Sequence, residues 1–122
     1  MAMTEEAVAS ESELGPRRVA ELVAEGAELI DTRRRYEWDD GRIPGARHIE
    51  VNQVTAEAES LPRDRPIVFY CRTGNRSAMV TEAFRQAGYE AYNMAGGIAA
   101  WVEAGLVIEP EDGEVTEPLP AS

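Results

Sequence analysis

The sequence contains no lysine; all 12 of its basic residues are arginine. Schiff-base chemistry and any catalytic lysine are thereby excluded. Cysteine occurs once, as Cys71, and histidine once, as His48. A lone thiol cannot close an internal disulfide, build a cysteine-based zinc site or be resolved by a second cysteine of the same chain. No metal and no cofactor are expected. No apolar run approaches the length of a membrane span. The first residues carry acids where a secretory leader would carry bases, and no apolar segment follows them. The expectation is a soluble, cytoplasmic monomer without a membrane partner, in a reducing compartment that suits a free thiol.

Positive charge is scarce as well. The net charge is −11 over 122 residues. Residues 1–13 and 105–122 hold nine acids and no base, which leaves 14 acids against 12 arginines between them. The acidity therefore belongs to the ends. It argues against a nucleic-acid partner, which needs a basic footprint. Arg33-Arg34-Arg35 is the densest basic run, but Glu37, Asp39 and Asp40 follow it, so it reads as a charge-balanced loop and short helix.

What the chain does contain is Cys71-Arg72-Thr73-Gly74-Asn75-Arg76-Ser77. The apolar run Ile67 to Tyr70 precedes it and reads as a strand covered on both faces. A helical pattern follows, with Met79, Val80, Ala83, Phe84 and Ala87 on one face. The thiol thus sits where a buried strand turns into a helix. Backbone N–H groups at a helix start have no intrahelical acceptor, and the helix dipole adds about half a positive charge there. A small, glycine-containing turn can aim such groups at an anion. The expectation is a thiolate nucleophile at Cys71, held by the loop amides of residues 72–76 and flanked by the charges of Arg72 and Arg76. The competing readings are a small buried hydrophobe at Cys71 and solvated surface charges at the arginines. The sequence Arg-x-Gly-x-Arg-Ser suits an inert core position poorly.

The loop resembles the active-site loop of the rhodanese family of sulfurtransferases, and three other stretches resemble the same family in order. They are Ile30-Asp31-Thr32-Arg33, then Glu37-Trp38 with Gly41-Arg42-Ile43-Pro44-Gly45-Ala46, then Tyr92-Asn93-Met94-Ala95-Gly96-Gly97 with Ala100-Trp101. The family histidine would fall at Arg42, where this chain departs. The resemblance implies an α/β fold with a five-stranded parallel sheet and helices on both faces. It implies sulfur transfer through a Cys71 persulfide, with Arg72, Thr73, Gly74, Asn75, Arg76 and Ser77 around the substrate. The partners would be a small anionic donor (thiosulfate or a persulfide) and a thiol, cyanide or protein acceptor. Thr73 stands where some members place a cation, which disfavours thiosulfate relative to a persulfide donor.

The organisation follows from alternating strand and helix signals, which imply right-handed crossovers. An acidic segment, 1–13, with a possible strand at Ala7–Ser10, precedes a body at 14–106. Within the body a helix opens at Pro16 and ends at Gly26. Strands are expected at Glu28–Asp31, Ala46–Ile49, Ile67–Tyr70 and Glu90–Asn93, a short helix at 52–60, and a last helix after Gly96-Gly97 with Ile98, Ala99, Trp101 and Val102 inward. Residues 107–122 read as an acidic, Pro- and Glu-rich flexible tail, with Val107 and Ile108 the residues that could extend an edge or pack on the body. Asp31 and Arg33 suggest a salt bridge at a strand end, with Arg33 a further possible source of field at the thiolate. His48 lies in a strand segment with no acidic partner nearby in sequence, so a general-base role is disfavoured. Trp101 reads as a core plug.

Two chemistries share such a loop. Tyrosine-phosphatase loops place five residues between cysteine and arginine, whereas four separate Cys71 from Arg76. The smaller ring suits a sulfur atom on Cys71 better than a phosphate. A persulfide carrier or protein-interaction module without turnover remains the alternative to an enzyme.

Overall fold

The computed structural model describes residues 12–117. Five strands form one sheet: β1 (Glu13–Leu14), β2 (Glu28–Asp31), β3 (Arg47–His48), β4 (Ile67–Tyr70) and β5 (Ala91–Met94), in the order β1-β5-β4-β2-β3. Every pairing is parallel. Parallel neighbours require crossover connections, and helices α1 (Pro16–Ala24), α2 (Arg35–Asp40), α3 (Asn75–Gln86) and α4 (Gly97–Glu103) lie along them. The fold class is the one expected.

Period-two alternation along the strands splits the core into two layers. On one face Ile30, Ile67 and Phe69 pack with Val80 and Phe84 of α3 and with Val54 and Leu61. On the other, Leu29, Val68 and Tyr70 pack with Val19 of α1 and with Ile98 and Trp101 of α4. Strand β4 lies at the centre of the sheet and is buried at all four positions, which is why its sequence is apolar without interruption. Trp101 is buried and its indole N–H donates to the Val107 carbonyl, as suits a core plug.

Several elements depart from the sequence expectation. Residues 52–60 form successive turns ending in a 3-10 turn at Ala58–Ser60. Val54 alone among residues 52–60 is buried, so no second apolar turn holds a full helix there. Strand β3 is two residues long, and β5 runs one residue later than expected. On α3 the sheet-facing residues are Ser77, Val80, Thr81 and Phe84; Met79 is 71% exposed, and Ala83 and Ala87 are exposed too. The helix is rotated so that two hydroxyls face inward below the cysteine loop. Val102 also faces solvent. The possible strand at Ala7–Ser10 lies outside the described residues; the edge strand within them is β1.

The acidic tail is docked as far as it is described. Leu106, Ile108 and Val115 pack on the second core layer. Arg42 and Glu109 exchange backbone hydrogen bonds, Glu114 N–H donates to the Asp40 carbonyl, and the Thr116 hydroxyl donates to Asp40 Oδ2 at 2.6 Å. Gly41 makes the crossing possible, because a Cβ there would collide with the Glu114 backbone. Composition pointed to flexibility, yet Ile108 and Val115, with Leu106 just before the segment, seat it as far as it is described.

Candidate active site

Cys71 follows the last residue of β4 and lies at the carboxyl end of the sheet, where open parallel sheets bind ligands. Gly74, at φ 101°, turns the chain into α3. A left-handed conformation of this kind favours glycine. The turn is clamped from behind by α4. Ile98 N–H donates to the Cys71 carbonyl at 2.9 Å and Ala99 N–H to the Arg72 carbonyl at 3.0 Å. Because trans peptides oppose their C=O and N–H groups, the amides of Arg72 and Thr73 point away from α4. Gly97 permits the approach: any Cβ on it would overlap the Cys71 and Arg72 carbonyl oxygens. The Gly96-Gly97 pair thus lets backbone pass close to the loop, as its sequence suggested.

The sulfur is only 1% exposed as a residue, but its surroundings are polar. Gly74 N–H donates to Cys71 Sγ at 3.2 Å, and the Ser77 hydroxyl lies 3.4 Å away. Burial works against the anion. The Ser77 hydroxyl, the Ser77 and Gly74 backbone N–H groups and the Arg76 charge outweigh it, holding the thiol below its ordinary range. The inert-hydrophobe reading does not fit these contacts.

The six residues after Cys71 divide into two sets. Gly74, Arg76 and Ser77 face the sulfur by contact or charge. Thr73 and Asn75 are exposed at the rim. Arg72 turns to the tail, with Nη2 3.5 Å from Glu117 Oε2. Within the expected ring of amides from 72 to 76, Gly74 N–H makes the direct hydrogen bond to the sulfur, and the Ser77 N–H just beyond it adds to the same effect.

Arg76 is not free to grip an anion with both terminal nitrogens. Nη1 and Nη2 donate to the two carboxylate oxygens of Glu37 at 3.0 and 3.1 Å. Glu37, fully buried, also accepts the Arg34 N–H. Burial pushes its carboxyl up, but the Arg76 bond, the Arg34 N–H and the charges of Arg76 and Arg33 bring it below the usual carboxylate range. The fork geometry holds the guanidinium beside the loop, where it acts on Cys71 through charge. Sequence reading placed Glu37 only within a family-like segment. An acid at a position that folds to zero exposure needs a cationic partner, but which arginine it meets depends on tertiary structure.

Arg33 and Asp31 form the buried pair foreseen, at 2.7 Å, and Arg33 Nη2 also donates to the Gly41 carbonyl. Arg33 thereby ties the β2 end to the α2–β3 loop. His48 donates from Nε2 to the Arg33 carbonyl at 2.6 Å and stacks on Trp38, over whose ring the Arg42 guanidinium also lies. This is a packing role. Beside the loop lies a cavity of about 210 Å³ walled by Thr32, Arg34, residues 50–52 and Arg76. No helix among the described residues is long and apolar enough to cross a membrane.

Comparison with known proteins agrees with this fold. The family model "Rhodanese-like domain" matches residues 16–104. The chain is 36% identical over 86 residues to a sulfurtransferase of Allochromatium vinosum, covering 70% of this chain and 80% of that one. It is 32% identical over 89 residues to the thiosulfate sulfurtransferase GlpE of Pseudomonas aeruginosa, covering 72% and 81%. Among solved structures, a rhodanese-related protein of Thermoplasma volcanium superposes with a TM-score of 0.74 at 26% identity, covering 79% of this chain and 95% of that one. On the fold, the loop and these matches, the chain belongs to the rhodanese-like family.

Proposed function

We propose that the protein is a sulfurtransferase that carries sulfane sulfur as a persulfide on Cys71. The observation that carries this reading is a buried thiol held below its usual pKa range at the amino end of α3 by Gly74 N–H, Ser77 and Arg76. The thiolate attacks the outer sulfur of a donor such as thiosulfate. A bond forms between Cys71 Sγ and that sulfur, the donor's S–S bond breaks, and its electron pair leaves on sulfite. The negative charge now rests on the terminal sulfur of the persulfide. An acceptor thiolate, or cyanide in an assay, attacks that sulfur, and the Cys71 thiolate departs unchanged. No general base is needed.

Arg72, Thr73 and Asn75 would meet the donor at the rim, beside the cavity lined by Arg34 and Arg76 and also by Glu50. The names of the Allochromatium and Pseudomonas relatives support sulfur transfer. The test is turnover of thiosulfate and cyanide to thiocyanate, compared with Cys71→Ala, together with intact mass after thiosulfate treatment. Saturable turnover and one added sulfur, both lost in the variant, are expected. A stable added sulfur without turnover would make the protein a persulfide carrier; no added sulfur from thiosulfate or from a thiol persulfide would overturn the reading. Release of phosphate from an aryl phosphate is not expected, since Arg76 is engaged by Glu37 and the loop is one residue short for that anion.

A further inference from the structure

Behind the cysteine loop, Ser77 is joined to a buried amide, Asn93, that the proposed chemistry has not used. Asn93 sits on β5, 2% exposed, beside the fully buried Ser77. Its Nδ2 donates to Glu13 Oε1 at 3.0 Å, Glu13 Oε2 at 3.1 Å and the Gly74 carbonyl at 3.1 Å. All three are acceptors only, so the orientation of the amide is fixed: reversing it would set a carbonyl oxygen against all three. Oδ1 must then face Ser77, whose hydroxyl lies 2.6 Å away. An amide oxygen carries no hydrogen, so that short contact requires the Ser77 proton.

Ser77 has one hydroxyl proton and two possible acceptors. Asn93 Oδ1 is at 2.6 Å and Cys71 Sγ at 3.4 Å. Both bonds cannot be donated at once. We propose that Asn93 is a positioning residue that competes with Cys71 for this proton, making the Ser77 hydroxyl a donor with two alternative stations. While the sulfur is protonated, the hydroxyl points to Asn93 and offers its lone pairs to the thiol. When Cys71 ionises, the proton swings to Sγ and the Asn93 bond is given up. On the sulfur-transfer reading, the negative charge moves to the terminal sulfur once the persulfide forms, and the hydroxyl returns to Asn93. Ser77 thus follows the two states of the sulfur, and Asn93 keeps Cys71 less acidic than the loop alone would make it.

The charged groups that face this assembly are few. Arg76 on α3 acts on the sulfur through its charge and is paired with Glu37 of α2, and Glu13 of β1 pairs with Asn93. Removing Asn93 leaves the Gly74 carbonyl still paired with Ala78 N–H, and Glu13 is exposed and can hydrate.

Cys71 is the sole cysteine, so thiolate absorbance against a Cys71→Ser blank reports its pKa in the full chain. Asn93→Leu should lower that pKa by about half a unit to one unit, the equivalent of one neutral hydrogen bond no longer surrendered. Ser77→Ala should raise it. The double variant should match Ser77→Ala, because Asn93 acts only through the hydroxyl. A rise in Asn93→Leu, or a double variant displaced from Ser77→Ala, would mean that Asn93 merely braces the loop and would overturn the proposal. Should Asn93→Leu fail to fold by circular dichroism, Ser77→Ala decides alone. A rise below about one unit fits a contested hydroxyl, and a larger rise fits an uncontested charge-assisted bond and refutes the competition. Intact mass after thiosulfate treatment is read on the same samples. Loss of the added sulfur in wild type would sink sulfur transfer while leaving the order of the pKa values to stand or fall separately.

Discussion

Arg72 and Arg76 are two guanidinium groups on one short loop, but they are held in different ways. Arg76 is forked onto a buried carboxylate, with both bonds near 3 Å. Arg72 reaches a tail residue, Glu117, that is 79% exposed, across 3.5 Å. The first arrangement fixes a charge beside the sulfur at the cost of freedom to bind substrate. The second leaves a charge at the rim that solvent screens and that an incoming anion can claim. On the proposed function, the same residue type is divided between setting the field at the nucleophile and meeting the donor, and the division is made by partners from α2 and from the tail.

The comparison can be broken or sharpened by substitution. The largest effect is expected from Cys71→Ala, which removes the group both arginines serve. It should abolish persulfide formation by intact mass while leaving thermal unfolding nearly unchanged. Arg76→Met comes next. It strands Glu37 in the core and should cost about 2–3 kcal/mol in denaturant unfolding. It should also raise the Cys71 pKa in a thiolate titration. A fold unaffected by this change would mean that the pair is not what holds α2 to the loop.

Acid should reveal the same pair without mutation. The Glu37 carboxyl is lowered in the folded state. Its contribution to stability is therefore fully present above its unfolded value, about 4.3, and is lost as pH falls through the lower folded value. Denaturant midpoints should fall through that acid window in wild type, and less steeply in Glu37→Gln. The smallest structural effect belongs to Arg72→Met and Glu117→Gln, each within about 0.5 kcal/mol as an exposed pair implies. If Arg72 meets the donor, kcat/KM for thiosulfate should nonetheless drop in Arg72→Met and become less sensitive to salt. Equal losses of stability in the Arg72 and Arg76 variants would erase the distinction.

Much of this arrangement was legible in the chain. The apolar run of β4, the glycine at the loop turn and the glycine pair before α4 each answer to a local rule, so strand, cysteine loop and the close backbone crossing could all be anticipated. The Asp31–Arg33 pair was legible because its members stand two residues apart. Glu37 with Arg76, and Glu13 with Asn93 and Ser77, were not, because those partners lie 39 and 80 residues apart for their longest links. One signal was available for Asn93: a polar residue in a run that otherwise reads as a buried strand needs partners. In the tail, Pro- and Glu-rich composition pointed to flexibility while Val107 and Ile108 offered apolar contacts; Ile108 packs on the body, joined by Val115, and Val107 faces solvent. On α3, Met79, Ala83 and Ala87 suited an inward face by periodicity, but the turn at Gly74 sets the rotation and gives that face to Ser77 and Thr81.

The most direct test of the site is the titration of Cys71 by thiolate absorbance in wild type, with Cys71→Ser as the blank. A midpoint clearly below the ordinary thiol value of about 8.5 is the expected result. A midpoint at or above it would mean that burial outweighs Gly74, Ser77 and Arg76, and that the loop does not hold a nucleophile.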